Sequence, residues 1–247
     1  MEEKLLGRAS LLKLVKELED YESEDIDMIS VYAKPQNLSW IDSAKIPEET
    51  RGSLERISKK LESSIGIVFF SWGETINLIL FPPFPVKKDE IILDKKFRTE
   101  QLKEIFEKDY RLGIVLMHLG EYAVGIFKGK RLILSKCGKR LVRGKHRKGG
   151  FSQARFSRIR EIQANKFFNE LYGVLRDRFK PHLKELDYVL YGGPKLTIKK
   201  FKKRNDFIKK LSEKTLERTL EVREVNKKSL ERILSEVWKT KVLYLSP

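Results

Sequence analysis

The chain has 247 residues, enough for one large domain or two small ones. Hydrophobic residues make up 40% of it, which is sufficient for a buried core, and charged residues make up 35%. Lysine and arginine outnumber aspartate and glutamate by 52 to 35, so the formal charge is +17 at pH 7. This charge favours a polyanionic partner. Nucleic acid is the first candidate for this partner and an anionic membrane is the second, because the positive charge is not confined to one amphipathic helix.

The sequence contains no apolar run near the roughly 20 residues that a membrane-spanning helix needs. The N-terminus, MEEKLLGRAS, begins acidic and has no signal-peptide core, so we expect a cytoplasmic protein. A single cysteine, Cys137, excludes an intramolecular disulfide framework, and we expect it to be a small buried residue. Because the three histidines are scattered, we expect no metal site and no cofactor.

The first part of the chain predicts a small α/β domain over residues 1–105. The predicted elements are helices over 4–19, 50–63 and 98–108, a loop over 41–49, and strands over 27–34, 66–70 and 75–81. The stretch PPFPV that follows residue 81 is a connector, because three prolines in four residues break any regular element.

The second part, residues 106–247, predicts a mixed α/β domain in the order βββαβαβα. Strands over 113–119, 122–129 and 131–138 are joined by tight turns and form an antiparallel meander. The remaining predicted elements are a long helix over 153–179, a strand over 187–193, a helix over 195–212, a strand over 218–223 and a helix over 227–238. Helices are expected to cover at least one face of the sheet.

A dense block of positive charge lies between the meander and the long helix, in the loop 139–153 and just beyond it. Such a block is either a solvated loop or a phosphate-binding surface, and the basic character of the whole chain favours RNA. The candidate RNA-binding residues are Lys139, Arg140, Arg143, Lys145, His146, Arg147, Lys148, Arg155 and Arg158. The lysine-rich stretch 199–210 is either a second RNA surface or the solvated side of a helix.

Three familiar chemistries fit this loop poorly. The sequence GKHRKGGF does not have the spacing of a phosphate-binding loop, so no nucleotide site is evident. His146 and Ser152 have no third member for a nucleophilic triad. A two-metal nuclease needs several carboxylates, and the loop has almost none.

Gly149, Gly150 and Gln153 indicate a different chemistry. Adjacent glycines permit backbone conformations and close approaches that other residues do not. Backbone N–H groups there can bind an oxyanion or a water molecule, and a neutral glutamine can position that water without an altered pKa. On these residues alone, this is one option among several.

The stretch GKHRKGGFSQARFSRIRE resembles the catalytic loop and following helix of the class-I peptide-chain release factors of eukaryotes and archaea. The likeness is good over about 65–240 and includes FRTEQLKEIFEKDYRLGIVLMHLGEYAVGIFKGKRLIL and YVLYGGP. In those proteins, a Gly-Gly-Gln segment releases the nascent chain from tRNA. The resemblance implies an RNase-H-like fold for the second domain.

One departure concerns the glutamine. Phe151 stands directly after the glycines, and the glutamine comes two residues later, at Gln153. This Gly-x-x-Gln arrangement resembles the Vms/ANKZF group of release-factor-like peptidyl-tRNA hydrolases. The resemblance implies that Gln153 is catalytic, with Gly149 and Gly150 as the backbone of its loop. Phe151 either stacks on a base or packs against the loop.

A second departure concerns stop-codon reading. Ala44-Lys45-Ile46-Pro47 stands where the release factors have Asn-Ile-Lys-Ser. Ile91, Leu93 and Phe97 stand where they have Tyr-x-Cys-x-x-x-Phe, and we expect no counterpart of their third domain. The resemblance therefore implies a peptidyl-tRNA hydrolase that releases nascent chains from stalled large ribosomal subunits without a stop codon.

The implied partners are the large subunit, rRNA and peptidyl-tRNA, and no membrane. The alternative is a rescue factor that binds the ribosome or RNA without catalysis.

Overall fold

The computed structural model describes residues 2–35, 63–144, 151–203 and 206–245. The chain forms two compact units, Met1–Lys108 with Ser235–Pro247 and Asp109–Leu234, which we call the first and second unit. The predicted loop over 41–49, the predicted helix over 50–63 and the stretch 44–47 lie outside the described residues, apart from Ser63.

The first unit contains one antiparallel sheet with the strand order β1-β11-β4-β3-β2-β5. The strands are β1 (Glu2–Leu6), β2 (Met28–Ala33), β3 (Ile67–Trp72), β4 (Ile76–Phe81), β5 (Glu90–Asp94) and β11 (Thr240–Tyr244). Its described helices are α1 (Arg8–Glu19) and α2 (Glu100–Glu107).

Both faces of this sheet bury apolar side chains, which explains why β3 and β4 are nearly continuous apolar runs. Val31, Phe69 and Ile79 cluster on one face. Phe70 alternates with Phe69 and contacts Phe97 with a ring-centroid distance of 5.3 Å. Phe97, the one position that matches the release factors' Tyr-x-Cys-x-x-x-Phe segment, is therefore a core residue of the first unit.

The second unit contains a mixed sheet with the strand order β10-β9-β6-β7-β8. Strand β6 pairs antiparallel with β7 and parallel with β9, while β7–β8 pairs antiparallel and β9–β10 pairs parallel. The strands are β6 (Arg111–His118), β7 (Glu121–Lys128), β8 (Arg131–Lys139), β9 (Tyr188–Gly192) and β10 (Thr215–Leu220). The described helices are α3 (Phe151–Phe179), α4 (Lys195–Lys202), α5 (Asp206–Ser212) and α6 (Lys227–Arg232), and a further helix, α7 (Leu234–Val237), leads to β11. This topology confirms the predicted mixed α/β fold.

Helix α3 packs on one face of the second sheet through a core that includes Val124, Ile126, Phe167 and Leu171. Gly125 points to the opposite face, because side chains alternate along a strand. A Cβ atom at Gly125 would lie 3.0 Å from Cδ2 of Leu230 in α6. Helix α6 therefore lies on the face of the sheet opposite to α3.

Several elements differ from the prediction. Residues 2–6 form strand β1, so the predicted helix over 4–19 begins later, at Arg8, because the backbone of 2–6 pairs with β11. The predicted helix over 195–212 is two helices, α4 and α5. The edge strand β5 was not predicted, since it pairs only with β2 and its side chains are mostly exposed or half-buried.

Strand β11 has the largest consequence for the organisation of the chain. It lies between β1 and β4, so the C-terminal residues belong to the first sheet. The prediction placed all of 106–247 in the second domain.

Over the described ranges, no helix is long and apolar enough to span a membrane.

Candidate functional site

The segment that leaves β8 is held at its start by a tight contact with the β6–β7 turn. The backbone N–H of Arg140 donates to the carbonyl oxygen of Gly120 at 2.7 Å. Gly120 has φ +104, and a Cβ atom there would lie 2.9 Å from the Arg140 carbonyl oxygen. A glycine is required at this position, because L side chains disfavour positive φ and the space is filled.

The Arg140 side chain joins this segment to helix α3. Its Nε donates to Oε2 of Glu170 at 2.9 Å. The other carboxylate oxygen of Glu170 accepts from the buried hydroxyl of Tyr122 at 3.1 Å. Burial, together with this carboxylate, raises the pKa of Tyr122 to about 12. Tyr122 can lie here only because residue 138 is glycine, since a Cβ atom would approach its ring to 2.3 Å.

A second pair of hydrogen bonds holds Arg143 against α3. Its backbone N–H donates to Oε1 of Gln163 at 2.9 Å, and its carbonyl oxygen accepts from Nε of Arg160 at 3.0 Å. Arg140 therefore contacts α3 at residue 170, and Arg143 contacts it at residues 160 and 163. The segment from β8 runs along α3 toward the N-terminus of that helix.

Gln153 lies at that N-terminus, in the first turn of α3, and it is exposed. Its side chain lines a groove of about 1000 Å³. The residues of α3 that line the groove recur every three or four positions and form one stripe. They include Gln153, Phe156, Ser157, Arg160, Glu161 and Ala164.

The opposite wall of the groove comes from α4 and the residue before it. Gly193, with φ +119, forms the turn between β9 and this helix, and a Cβ atom there would collide with the Met117 carbonyl oxygen at 2.0 Å. Pro194, Leu196, Lys200 and Lys203 line this wall.

The predicted site residues other than Gln153 fall into three groups. Lys145, His146, Arg147, Lys148, Gly149 and Gly150 lie outside the described residues. Lys139 and Arg140 pair with carboxylates, and the Lys139 Nζ lies 2.8 Å from Oε1 of Glu121, which raises the pKa of Lys139. Arg143, Arg155 and Arg158 are exposed. Neither Arg155 nor Arg158 lines the groove that contains Gln153.

The structure adds residues that the prediction did not place in the site. Arg160, Lys200 and Lys203 line the groove with Gln153. Arg160 follows Gln153 by seven positions, so its helical spacing was a usable signal, whereas the approach of α4 was not readable from the sequence.

The prediction for Cys137 was wrong, since this residue is exposed on the edge strand β8. Within the described ranges, no group of three or more His, Cys, Asp or Glu side chains could hold a metal ion.

Comparison with known families places this chain in a class of translation factors. The family model described as the Actinobacteria/chloroflexi VLRF1 release factor matches residues 110–243. This match covers more than half of the chain and includes the loop, α3 and the groove. The chain therefore belongs to the VLRF1 release factor family, which confirms the resemblance to release factors.

Curated relatives carry the name peptide chain release factor subunit 1. The protein from Methanopyrus kandleri is 29% identical over 242 residues, which cover 87% of this chain and 59% of the relative. The protein from Archaeoglobus fulgidus is 28% identical over 214 residues, covering 76% of this chain and 53% of the relative. The chain thus spans between about half and three fifths of these relatives.

Solved structures with detectable likeness are more distant. The archaeal translation termination factor aRF1 is 20% identical with a TM-score of 0.43, and the match covers 94% of this chain and 70% of that one. The Vms1 mitochondrial localization core is 14% identical with a TM-score of 0.36, covering 84% and 90%.

Proposed function

We propose that this protein is a cytoplasmic peptidyl-tRNA hydrolase that releases nascent chains from stalled large ribosomal subunits without reading a stop codon. The observation that carries the proposal is the position of Gln153. It is an exposed glutamine in the first turn of α3, directly after the Gly149–Ser152 stretch, in a member of a release-factor family.

The proposed reaction is hydrolysis of the ester between the peptide and the terminal ribose of tRNA. A water oxygen attacks the ester carbonyl carbon, the bond from that carbon to the ribose oxygen breaks, and a proton passes to the ribose oxygen. The products are a peptide with a free carboxyl group and a tRNA with a free hydroxyl.

In this scheme, the amide oxygen of Gln153 accepts a hydrogen bond from the attacking water and orients it. A neutral amide suits this role, because it positions water without itself titrating near neutral pH. The role of Gly149 and Gly150 as the backbone of the loop rests on the family resemblance. The ribosomal RNA and the ribose hydroxyl supply much of the remaining catalysis, so weak activity on free tRNA is expected.

The contacts of the described segment before the loop support delivery of Gln153 into a site walled by RNA. The segment before it is held along α3 by the contacts of Arg140 and Arg143, and the long helix behind Gln153 is anchored in the core through Phe167 and Leu171. A residue on a rigid, anchored helix can be positioned within a fraction of an ångström, which hydrolysis of a fixed ester requires.

The test uses stalled large subunits that carry radiolabelled peptidyl-tRNA. The wild-type protein should release the peptide, and Gln153→Ala should lose release by about a hundredfold or more, the scale of a lost positioning or oxyanion group. Asn169→Ala is the matched control, because Asn169 is an exposed amide on the same helix outside the groove.

Equal release by wild type and Gln153→Ala would overturn the role of the glutamine. Binding to the subunits without release by the wild type would instead establish the non-catalytic rescue factor.

A further inference from the structure

The groove beside Gln153 is long and open. Its lining on α3 extends from Gln153 to Phe168, which is roughly 22 Å at 1.5 Å per residue. The inner end is closed by Phe168, which is only 3% exposed, while Gln153 at the other end is exposed. The groove therefore has the proportions of a channel along a helix, with the candidate catalytic residue at its outer end.

Positive charges outnumber negative ones among the charged residues that line the groove. Arg160, Lys200 and Lys203 line it, against a single carboxylate, Glu161. Among the described residues, Lys200 and Lys203 form no ion pair, so their charge is not offset by a fixed carboxylate. Arg160 is held in place through its Nε by the Arg143 carbonyl oxygen, which leaves its terminal amino groups for another partner.

Part of the remaining lining is apolar and open to solvent. Leu196 in α4 is 76% exposed, although it is a large aliphatic residue on the groove wall. Phe156 on α3 is half-buried and lines the same groove, as do Leu119 and Pro194. An exposed leucine costs free energy in water, and this cost is offset when a flat apolar ligand covers the side chain.

A ligand that presents both anionic groups and flat apolar faces at regular intervals matches this lining. Unpaired RNA does so, because its phosphates face one side and its bases stack on apolar or aromatic side chains. A duplex fits less well, since its bases are already stacked and face inward. At the roughly 3.4 Å spacing of stacked nucleotides, the groove has room for several of them.

We infer that the groove binds the unpaired 3′ end of the tRNA acceptor arm, with Arg160, Lys200 and Lys203 at the phosphates and Phe156 and Leu196 against the bases. This inference rests on the proposed function for the choice of tRNA as the source of that end. The terminal ribose then lies toward Gln153, so the groove supplies substrate binding that is separate from hydrolysis.

The experiment measures binding of the full chain to short fluorescent RNA hairpins by anisotropy. One hairpin has the unpaired 3′ end of an acceptor arm, a second is blunt, and a third carries the same unpaired nucleotides at its 5′ end. The inference predicts the tightest binding for the 3′ extension. Equal binding of all three hairpins would overturn it, as would full displacement of the 3′ hairpin by an acidic peptide at equal concentration, which would indicate a protein ligand.

Paired variants separate the groove from general charge. Lys200→Glu should weaken binding of the 3′ hairpin about tenfold, because it replaces a phosphate contact by repulsion. Lys228→Glu makes the same change of charge on α6, on the opposite face of the sheet, and should leave the preference for the 3′ hairpin intact.

A second pair of variants tests the apolar contact. Leu196→Ser should weaken binding of the 3′ hairpin by about threefold or more. Leu196→Met should not weaken it, because methionine keeps an apolar surface. Equal losses for Lys200→Glu and Lys228→Glu would contradict a groove-specific site.

The same variants distinguish failure of this inference from failure of the proposed function. The losses of 3′ hairpin binding in Lys200→Glu and Leu196→Ser are expected whether or not the wild type hydrolyses peptidyl-tRNA. If the wild type releases peptide and Lys200→Glu and Leu196→Ser release it equally well, the groove inference fails and the hydrolase stands. If release is absent but binding remains selective for the 3′ end, the hydrolase fails and the groove site stands.

Discussion

Glu170 accepts a hydrogen bond from Nε of Arg140 at 2.9 Å, and this contact ties the exit of β8 to the middle of α3. The same carboxylate accepts from the Tyr122 hydroxyl on β7. One side chain of α3 thus orders both the sheet beneath it and the segment that leads to the loop. This contact, with those of Arg143, holds the described residues 140–143 along the helix.

The first prediction concerns the coupling between Tyr122 and Glu170. Glu170→Ala should lower the free energy of unfolding by about 1–3 kcal/mol, because it leaves the buried Tyr122 hydroxyl without its acceptor. In a double-mutant cycle with Tyr122→Phe, the coupling should be about 1 kcal/mol. Urea unfolding followed by circular dichroism measures all four proteins. Additive losses would show that the hydrogen bond contributes nothing, and Asn169→Ala controls for a substitution on the same helix.

The second prediction concerns stability at alkaline pH. The folded state raises the pKa of Tyr122 from its ordinary value of 10.0 to about 12, chiefly through burial. Between these values, the unfolded chain loses the tyrosine proton while the folded chain keeps it, so the folded state loses stability as pH rises. The difference in unfolding free energy between wild type and Tyr122→Phe should be constant below about pH 10 and then shift against the wild type up to pH 12. A difference independent of pH would contradict the assignment.

The third prediction compares two glycines in the second unit. Gly138→Ala should destabilise the protein by about 1–3 kcal/mol, because the new methyl group would collide with the Tyr122 ring. Gly173→Ala should instead be neutral or stabilise by up to about 1 kcal/mol, since this residue lies inside α3 and the added methyl group meets nothing within 4 Å beyond the helix's own backbone and the neighbouring residues. Thermal or urea unfolding gives both signs, and a stable Gly138→Ala protein would show that the Tyr122 ring can move aside.

The fourth prediction addresses the exposed arginines at the start of α3. If Arg155 and Arg158 contact phosphates, replacing both by alanine should reduce the salt dependence of binding to large subunits. The slope of log K against log salt should become shallower by about 1–2, at roughly 0.7–0.9 per contact. Filter binding over a salt series measures this slope. Lys228→Ala should leave it unchanged, and an unchanged slope for the arginine variant would show that both side chains only solvate the helix.

Much of the second unit was predictable because its signals are local. The β6–β7–β8 meander has tight turns at Gly120 and Gly129, and both glycines have positive φ. The apolar spacing of α3 predicted its extent to within two residues. Gln153 and the charged block were found from sequence because they are contiguous. The resemblance that assigned a role to Gln153 also depends on contiguous residues.

The errors arose where pairing between distant residues decides the structure. EEKLL at 2–6 has a composition suited to a helix, but its backbone pairs with residues 240–244. Cys137 was expected in the core because cysteine is usually buried, yet it lies on the outermost strand, β8, and is exposed. The pairing of residues 2–6 and the exposure of Cys137 are both decided by residues distant in the chain, so local sequence patterns could not reveal them.

The sequence by itself determined the class of the second unit, the basic character of the chain and the glutamine displaced from its glycine pair, because these depend on local periodicity and composition. Only the tertiary structure decided which cations share a groove with that glutamine. Arg160 and Gln153 meet through helical spacing, but Lys200 and Lys203 join them because the Gly193 turn brings α4 beside α3. Side chains about 40 residues apart in the chain become neighbours only through burial of the core between helices and sheet. No single stretch of sequence determines that packing.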